Sequence, residues 1–314
     1  MNIRSVLSNT VFAAALCLYG APVLSAQAQP GNGIPVHTVV TIEAHKGSNP
    51  PSIGQQDVLV TENKKERDPV TEWIPAQGDH ADLEFFILID DGANMTLGTE
   101  LETLRKFILD QPPTTKIGLA YMQNGIARVA QNLTPDHEAA AKALRLPTGI
   151  RGINGSPYFS VSDLVKRWPA GAPRREVLMI SDGIDRYYGE ADFLDPYLDA
   201  TIDDCQRGGI VVSAIYTPGM GHFGHDFYMS YWGQLYMARL ADETGGEAYY
   251  VGMMGPPVSF TPYLDQLSNR LLHQYLLTFL AKPPKKAGLQ PVRIATEVPN
   301  ADLVAPRKVW VPAM

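Results

Sequence analysis

The sequence predicts a doubly wound α/β domain with a mostly parallel sheet, carried on a small β-sandwich that the two flanks of the chain build together. Three observations lead there. Between residues 84 and 251, short apolar runs alternate with amphipathic stretches of helical period, the pattern of strands joined by crossover helices. Two of the runs lie a turn apart around Asn124-Gly125, a tight-hairpin dipeptide that adds an antiparallel edge. Residues 35–75 and 274–314 hold β-type segments punctuated by Pro and Gly, too few in either flank for a stable sheet but enough in combination.

FFILI (85–89) reads as a strand buried on both faces, because no polar residue interrupts it. LETLRKFIL (101–109) places Leu101, Leu104, Phe107 and Ile108 on one helical face. KIGLAYM (116–122) and GIARVAQNL (125–133) are the hairpin strands. A helix is expected from Pro135 to Leu146 and another from Pro157 to Trp168. EVLMIS (176–181) is the next buried strand, followed by a helix around FLDPYLDATIDDC and the strand IVVSAIY (210–216). The helix QLYMARLADETGG closes at Gly245-Gly246, and EAYYV (247–251) is a last strand. HTVVTIEA, DVLVTE, PVTEWI, QYLLTFLA, PVRIATEV and RKVWVP supply the sandwich. The expected organisation is a leader over 1–28, one sandwich half over 29–80, the α/β domain over 81–272 and the other half over 273–314.

Composition sets the class. The chain has 314 residues, 45% hydrophobic and 19% charged, with a net charge of −7 and no basic cluster, which excludes a nucleic-acid footprint. Arg4, the apolar run VFAAALCLYGAPVL and Ala26-Gln27-Ala28 form a cleavable export signal, so the mature protein is expected to begin near Gln29, in the periplasm or secreted. As an anchor helix the run is too short and is broken by Gly20 and Pro22. No later run is long enough to cross a bilayer. Cleavage leaves Cys205 alone, expected as a half-buried thiol, so no internal disulfide forms. Neither phosphate-binding glycine fingerprint occurs, nor a G-x-S-x-G elbow, which argues against nucleotide binding and serine-nucleophile chemistry.

Ligands of open parallel sheets bind beyond the carboxyl ends of the strands. Asp90 and Asp91 leave the first strand in DDGAN, Ser156 lies in RGINGSPYF before a helix, and Asp182 follows EVLMIS in SDGID. Oxygen-only sets of this kind suit Mg²⁺ or another hard divalent cation. This ordered set resembles the von Willebrand factor type A domain, and more closely the exported bacterial "VWFA-related" proteins, in which that domain lies between short β segments. IGQQDVLVTENKKERDPVTEW, GGEAYY, LLHQYLLTF and RKVWVP extend the resemblance over nearly all of the mature chain.

The resemblance implies a metal-ion-dependent adhesion site. Asp90 matches the first aspartate of its D-x-S-x-S turn, Gly92 and Asn94 stand at the serine positions, Ser156 stands at the threonine, and Asp182-Gly183 matches its D-G turn. It further implies a divalent cation with a coordination position open to a carboxylate of a protein partner. Gly92 brings no side-chain oxygen, so two readings stay open. Asp90, Asn94, Ser156 and Asp182 hold a cation in a weakened site with Asp91 beside it, or Asp90 and Asn94 only hydrogen-bond the backbone of their turn.

The stretch TPGMGHFGHDFYMSYW offers His222, His225 and Asp226 as metal ligands or as solvated loop residues. Its aromatics, Phe223, Phe227, Tyr228, Tyr231 and Trp232, read either as a partner-facing patch or as core. A partner surface would then comprise Asp91, His222, Phe223, His225, Asp226 and Trp232. Three function classes follow: a non-catalytic binding or assembly module, a metal-assisted hydrolase using the carboxylates with His222 or His225, and a structural envelope protein with a vestigial site.

Overall fold

The computed structural model describes residues 33–313 apart from 48, 63–65, 151–154, 170, 191, 221–225 and 254. The expected leader and the residues His222, Phe223 and His225 lie outside the described residues. In chain order the elements are β1 (Ile34–Ala44), β2 (Val58–Glu62), β3 (Glu66–Asp68), β4 (Val70–Pro75), β5 (Leu83–Asp90), α1 (Leu101–Leu109), β6 (Thr115–Gln123), β7 (Ile126–Thr134), α2 (His137–Lys142), α3 (Pro157–Arg167), β8 (Arg175–Ser181), α4 (Pro196–Gly208), β9 (Ile210–Tyr216), α5 (Phe227–Thr244), β10 (Ala248–Tyr249), α6 (Thr261–Leu272), β11 (Gln274–Ala281), β12 (Gly288–Thr296), β13 (Ala301–Val304) and β14 (Lys308–Val311).

The central sheet has the order β10-β9-β8-β5-β6-β7. Its strands run parallel except β7, which returns antiparallel to β6. Asn124 and Gly125 between them take φ of 54° and 75°, the conformation a two-residue hairpin loop needs at both central positions. Successive side chains of a strand face opposite sides, so the apolar run of β5 serves two cores. Phe85, Ile87 and Ile89 join Leu104 and Phe107 of α1 and Leu264 of α6. Phe86 and Leu88 join Tyr158 of α3, Leu198 of α4 and Met237 of α5. A polar residue at either parity would strip one layer of its partner, which is why the run is unbroken.

The flanks form two four-stranded sheets, β13-β1-β11-β4 and β14-β12-β2-β3, each taking strands from both ends of the chain. Val40, Val60, Phe279 and Val292 share the core between them, and Trp73 stacks on Tyr275 with ring centroids 4.4 Å apart. Pro75 of β4 sits opposite Tyr275 of β11, so the chain enters and leaves the α/β unit on neighbouring rungs. Among the described residues no helix is long and apolar enough to cross a membrane.

Some elements depart from expectation. α2 stops at Lys142 rather than reaching Leu146, because Arg145 is drawn off the helical path: its N–H donates to Tyr121 Oη at 2.7 Å and its guanidinium lies 3.7 Å from the centre of that ring. α5 starts at Phe227, well before Gln234, capped by Asp226. The last strand ends at Tyr249, since Tyr250 takes a left-handed φ of 59°. α6, β3 and β13 have no counterpart in the sequence expectation. Cys205 is fully buried rather than half-buried, and burial, with Asp204 adding to it, pushes its thiol far above the ordinary range.

Candidate functional site

The strand order reverses between β5 and β8, so their carboxyl ends frame the crevice where open α/β sheets take ligands. Asp90 ends β5. Its Oδ1 accepts from the Gly92 N–H at 2.8 Å and its Oδ2 from Ser181 Oγ at 2.8 Å. Ser156 lines the same narrow crevice as Asp90, together with Asn124 and Gly125, but its hydroxyl donates to Asp185 Oδ2 at 2.7 Å. Asp182 follows β8 directly. Asp90, Ser156 and Asp182 are thus gathered on one edge of the sheet, all of them buried.

Backbone contacts close this rim. The Asn94 N–H donates to Pro218 O at 2.8 Å, the Met220 N–H to Gly92 O at 2.9 Å and the Thr217 N–H to Ser181 O at 2.9 Å, so the chain leaving β9 pairs along the DDGAN turn. Gly183 takes a φ of 68°, and a Cβ there would meet Gly233 O at 2.2 Å. A Cβ on Gly233 would meet Asp182 O at 2.3 Å. The D-G turn therefore packs directly on the backbone of α5, and only glycine at both positions permits it.

The rim carboxylates are compensated from within the chain. Asp182 Oδ2 accepts from Arg186 Nη2 at 2.8 Å, and Oδ1 accepts from the Ile184 N–H at 3.0 Å and Arg186 Nη1 at 3.3 Å. Asp91 takes Arg145 in a fork, at 2.6 Å and 3.1 Å, with the Thr148 N–H at 2.9 Å. Burial alone would raise the Asp91 carboxyl, but the hydrogen bonds from Arg145 and Thr148 outweigh it and hold the group below the ordinary carboxylate value.

The chain's own donors occupy this arrangement. Every carboxylate oxygen of Asp90, Asp91 and Asp182 already accepts a hydrogen bond. Asn94 Oδ1 accepts from the Thr96 N–H at 3.0 Å, holding its own turn. The Ser156 hydroxyl is directed to Asp185. Among the described residues no group of three or more His, Cys, Asp or Glu is placed to hold a metal, and no histidine hydrogen-bonds a rim carboxylate: His37, His137 and His273 pair with Thr278, Thr115 and Asn269.

The sheet order, its antiparallel edge and the paired turns after β5 and β8 decide the architecture. The fold is von Willebrand A-like. Among solved structures the chain is similar to an aerotolerance-related membrane protein from Bacteroides fragilis, at 15% identity over 60% of this chain and 98% of that one, with a TM-score of 0.44. It is similar to the SpRpn10 VWA domain at 15% identity over 58% and 93% of the two chains, TM-score 0.38. The adhesive tip pilin GBS104 from Group B Streptococcus agalactiae aligns at 12% identity over 33% and 46%, TM-score 0.24. No protein-family model matches the sequence, and no curated protein matches it.

Within this von Willebrand A-like fold three residues expected to face a partner do other work, Asp91 being buried on Arg145. Asp226 caps α5, its Oδ1 accepting from the Met229 N–H at 3.1 Å. Trp232 is only 9% exposed and belongs to the core, because it shares one helical stripe with Tyr236 and Leu240. Other aromatics surround it at the surface. Phe193 packs edge-on to Trp232 at 4.9 Å, and Tyr228 and Tyr231 do so at 6.3 Å and 6.2 Å. Phe193 is 72% exposed and Phe227 67%, and Leu194 is exposed as well. Sequence reasoning missed Asp185, Arg145, Arg186, Phe193 and Leu194, and weighed Ser181 only as a nucleophile. Of these only Arg186, four residues after Asp182, left a spacing signal.

Proposed function

We propose that this chain is an exported, non-catalytic interaction module that receives a protein partner on the carboxyl-edge rim without a resident cation. The fold suits an interaction or adhesion module, and the signal read in residues 1–28 supplies the compartment. One observation carries the reading. Phe193, Tyr228 and Tyr231 surround the buried Trp232 and leave apolar surface exposed on the segments that follow β8 and β9, with Leu194 and Phe227 exposed next to them in sequence. Exposed aromatics of this kind anchor interfaces.

Independence from a cation is supported by Arg186 and Arg145, which supply to Asp182 and Asp91 the positive charge a metal would bring. The test is capture from a native envelope extract, with and without EDTA, followed by identification of the captured protein. We expect one partner to be retained in EDTA and to be lost at least about tenfold when Phe193 and Tyr231 are both replaced by alanine. Loss of capture in EDTA, or full retention by the double variant, overturns the proposal.

A further inference from the structure

The segment between β8 and α4 builds a second group of rings with the first turn of α3. Phe159 packs edge-on to Tyr187 at 5.0 Å and to Tyr197 at 4.8 Å, Tyr187 and Tyr197 meet at 5.3 Å, and Tyr188 reaches Tyr197 at 6.1 Å. Tyr187 is 48% exposed, so the group opens to solvent. It belongs to the rim, because Asp185, two residues before Tyr187, takes the Ser156 hydroxyl. Exposed tyrosine faces attract cations, and arginine, being planar, stacks on them best.

The charge around these rings is negative and unmet. Asp185 Oδ1 accepts from the Tyr187 and Tyr188 N–H groups at 2.8 Å and 2.9 Å, and Asp195 Oδ1 from those of Tyr197 and Leu198 at 2.8 Å and 3.0 Å. Both side chains are buried, and Asp195 Oδ2 has no hydrogen-bond partner. Glu190 and Asp192 stand exposed between them in sequence. Burial, and then the charges of Glu190, Asp192 and Asp195, push the Tyr188 hydroxyl up, so all three acids lie within electrostatic reach of that ring. Among the described residues no cation pairs with Asp185, Glu190, Asp192 or Asp195. The arginines at hand are taken: Arg186 pairs with Asp182 and Arg239 with Asp199.

We infer that the protein partner presents arginine side chains to this surface, their guanidinium planes on Tyr187 and the rings beside it and their charge toward Glu190 and Asp192. The inference rests on the reading above that the rim receives a protein, and it reverses the carboxylate that the family resemblance implies for that protein. Two labelled peptides of leucine and arginine, about twelve residues long, test it; they are identical except that citrulline replaces every arginine in one, which removes the charge and keeps the shape. In anisotropy titrations of the purified protein at about 0.15 M salt, the arginine peptide binds at least about tenfold more tightly than the citrulline peptide. Tyr187→Ala, and separately Glu190→Gln with Asp192→Asn, cut that preference at least about fivefold. Asp79→Asn with Glu297→Gln makes the same change in net charge at exposed positions before β5 and after β12, and keeps the preference. Equal affinity for the two peptides, no binding of the arginine peptide, or an equal loss from the Asp79 and Glu297 pair overturns the inference. Should Tyr187→Ala fail to fold, the exposed acids decide the matter. Capture from the extract tests whether a partner exists, so a captured partner together with equal peptide affinities sinks the charge assignment alone.

Discussion

At the carboxyl edge of the central sheet Asp90, Asp91 and Asp182 are buried, and each is satisfied by donors from its own chain. At the opposite edge Arg174 is buried just as deeply, yet it rests on distant carbonyls and keeps an unused donor. The first edge stands where this architecture ordinarily takes ligands; the second holds a buried cation on backbone carbonyls, tying residues 76–81 to the end of α6. A buried charge can therefore be met by an opposite charge or by backbone dipoles, and the two edges of one sheet use different means.

Four experiments break or sharpen that contrast. Gly233→Val should have the largest effect, because even the first side-chain carbon would meet the Asp182 carbonyl at 2.3 Å. We expect a loss of about 3 kcal/mol or more in urea unfolding; a mild loss would mean that the D-G turn yields easily and the rim is softer than its contacts imply. Arg186→Ala comes next, since it takes the guanidinium from the buried Asp182 carboxylate, and roughly 3 kcal/mol should go. A loss well under 1 kcal/mol would put the two edges on the same footing.

Arg145→Gln tests the pH dependence. The Asp91 carboxyl is held below its ordinary value, so the stability it contributes is complete above a pH of about 4 and fades as pH falls through the lowered folded value. Because the arginine side chain is 43% exposed, solvent screens part of the interaction. The variant should lose about 1–2 kcal/mol at pH 7 and progressively less as pH falls below about 4, measured by melting across that range. A loss that does not shrink as pH falls would assign Arg145 to packing on Tyr121 instead. The smallest effect belongs to Mg²⁺ or EDTA, each expected to move the melting temperature of the wild type by less than about 1 °C; a saturable rise with Mg²⁺ would restore the cation reading of the rim.

What was legible in the sequence is what local pattern controls. FFILI announced a strand buried on both faces, Asn124-Gly125 announced the hairpin, and LETLRKFIL matches α1 residue for residue. The flanks could be paired because neither holds enough strands alone. The order of Asp90, Ser156 and Asp182 along the chain pointed to a common edge; Asp90 and Ser156 line one crevice, and Asp182 follows the neighbouring strand β8. Their partners were hidden, since they are matters of tertiary approach. Arg145 reaches Asp91 from 54 positions away by breaking its own helix, and the Ser156 hydroxyl chooses Asp185 over Asp90. Trp232 was ambiguous for a related reason: an aromatic after a glycine-rich stretch reads as loop until α5 is seen to begin at Phe227.

The neighbouring rungs at Pro75 and Tyr275 carry a mechanical consequence. A tug delivered to the rim returns to the sandwich through two strands that are already zipped side by side, so the load arrives as a peel at one rung pair rather than as a shear spread along the ladder. Under tension the mount should give way before the α/β unit that it carries.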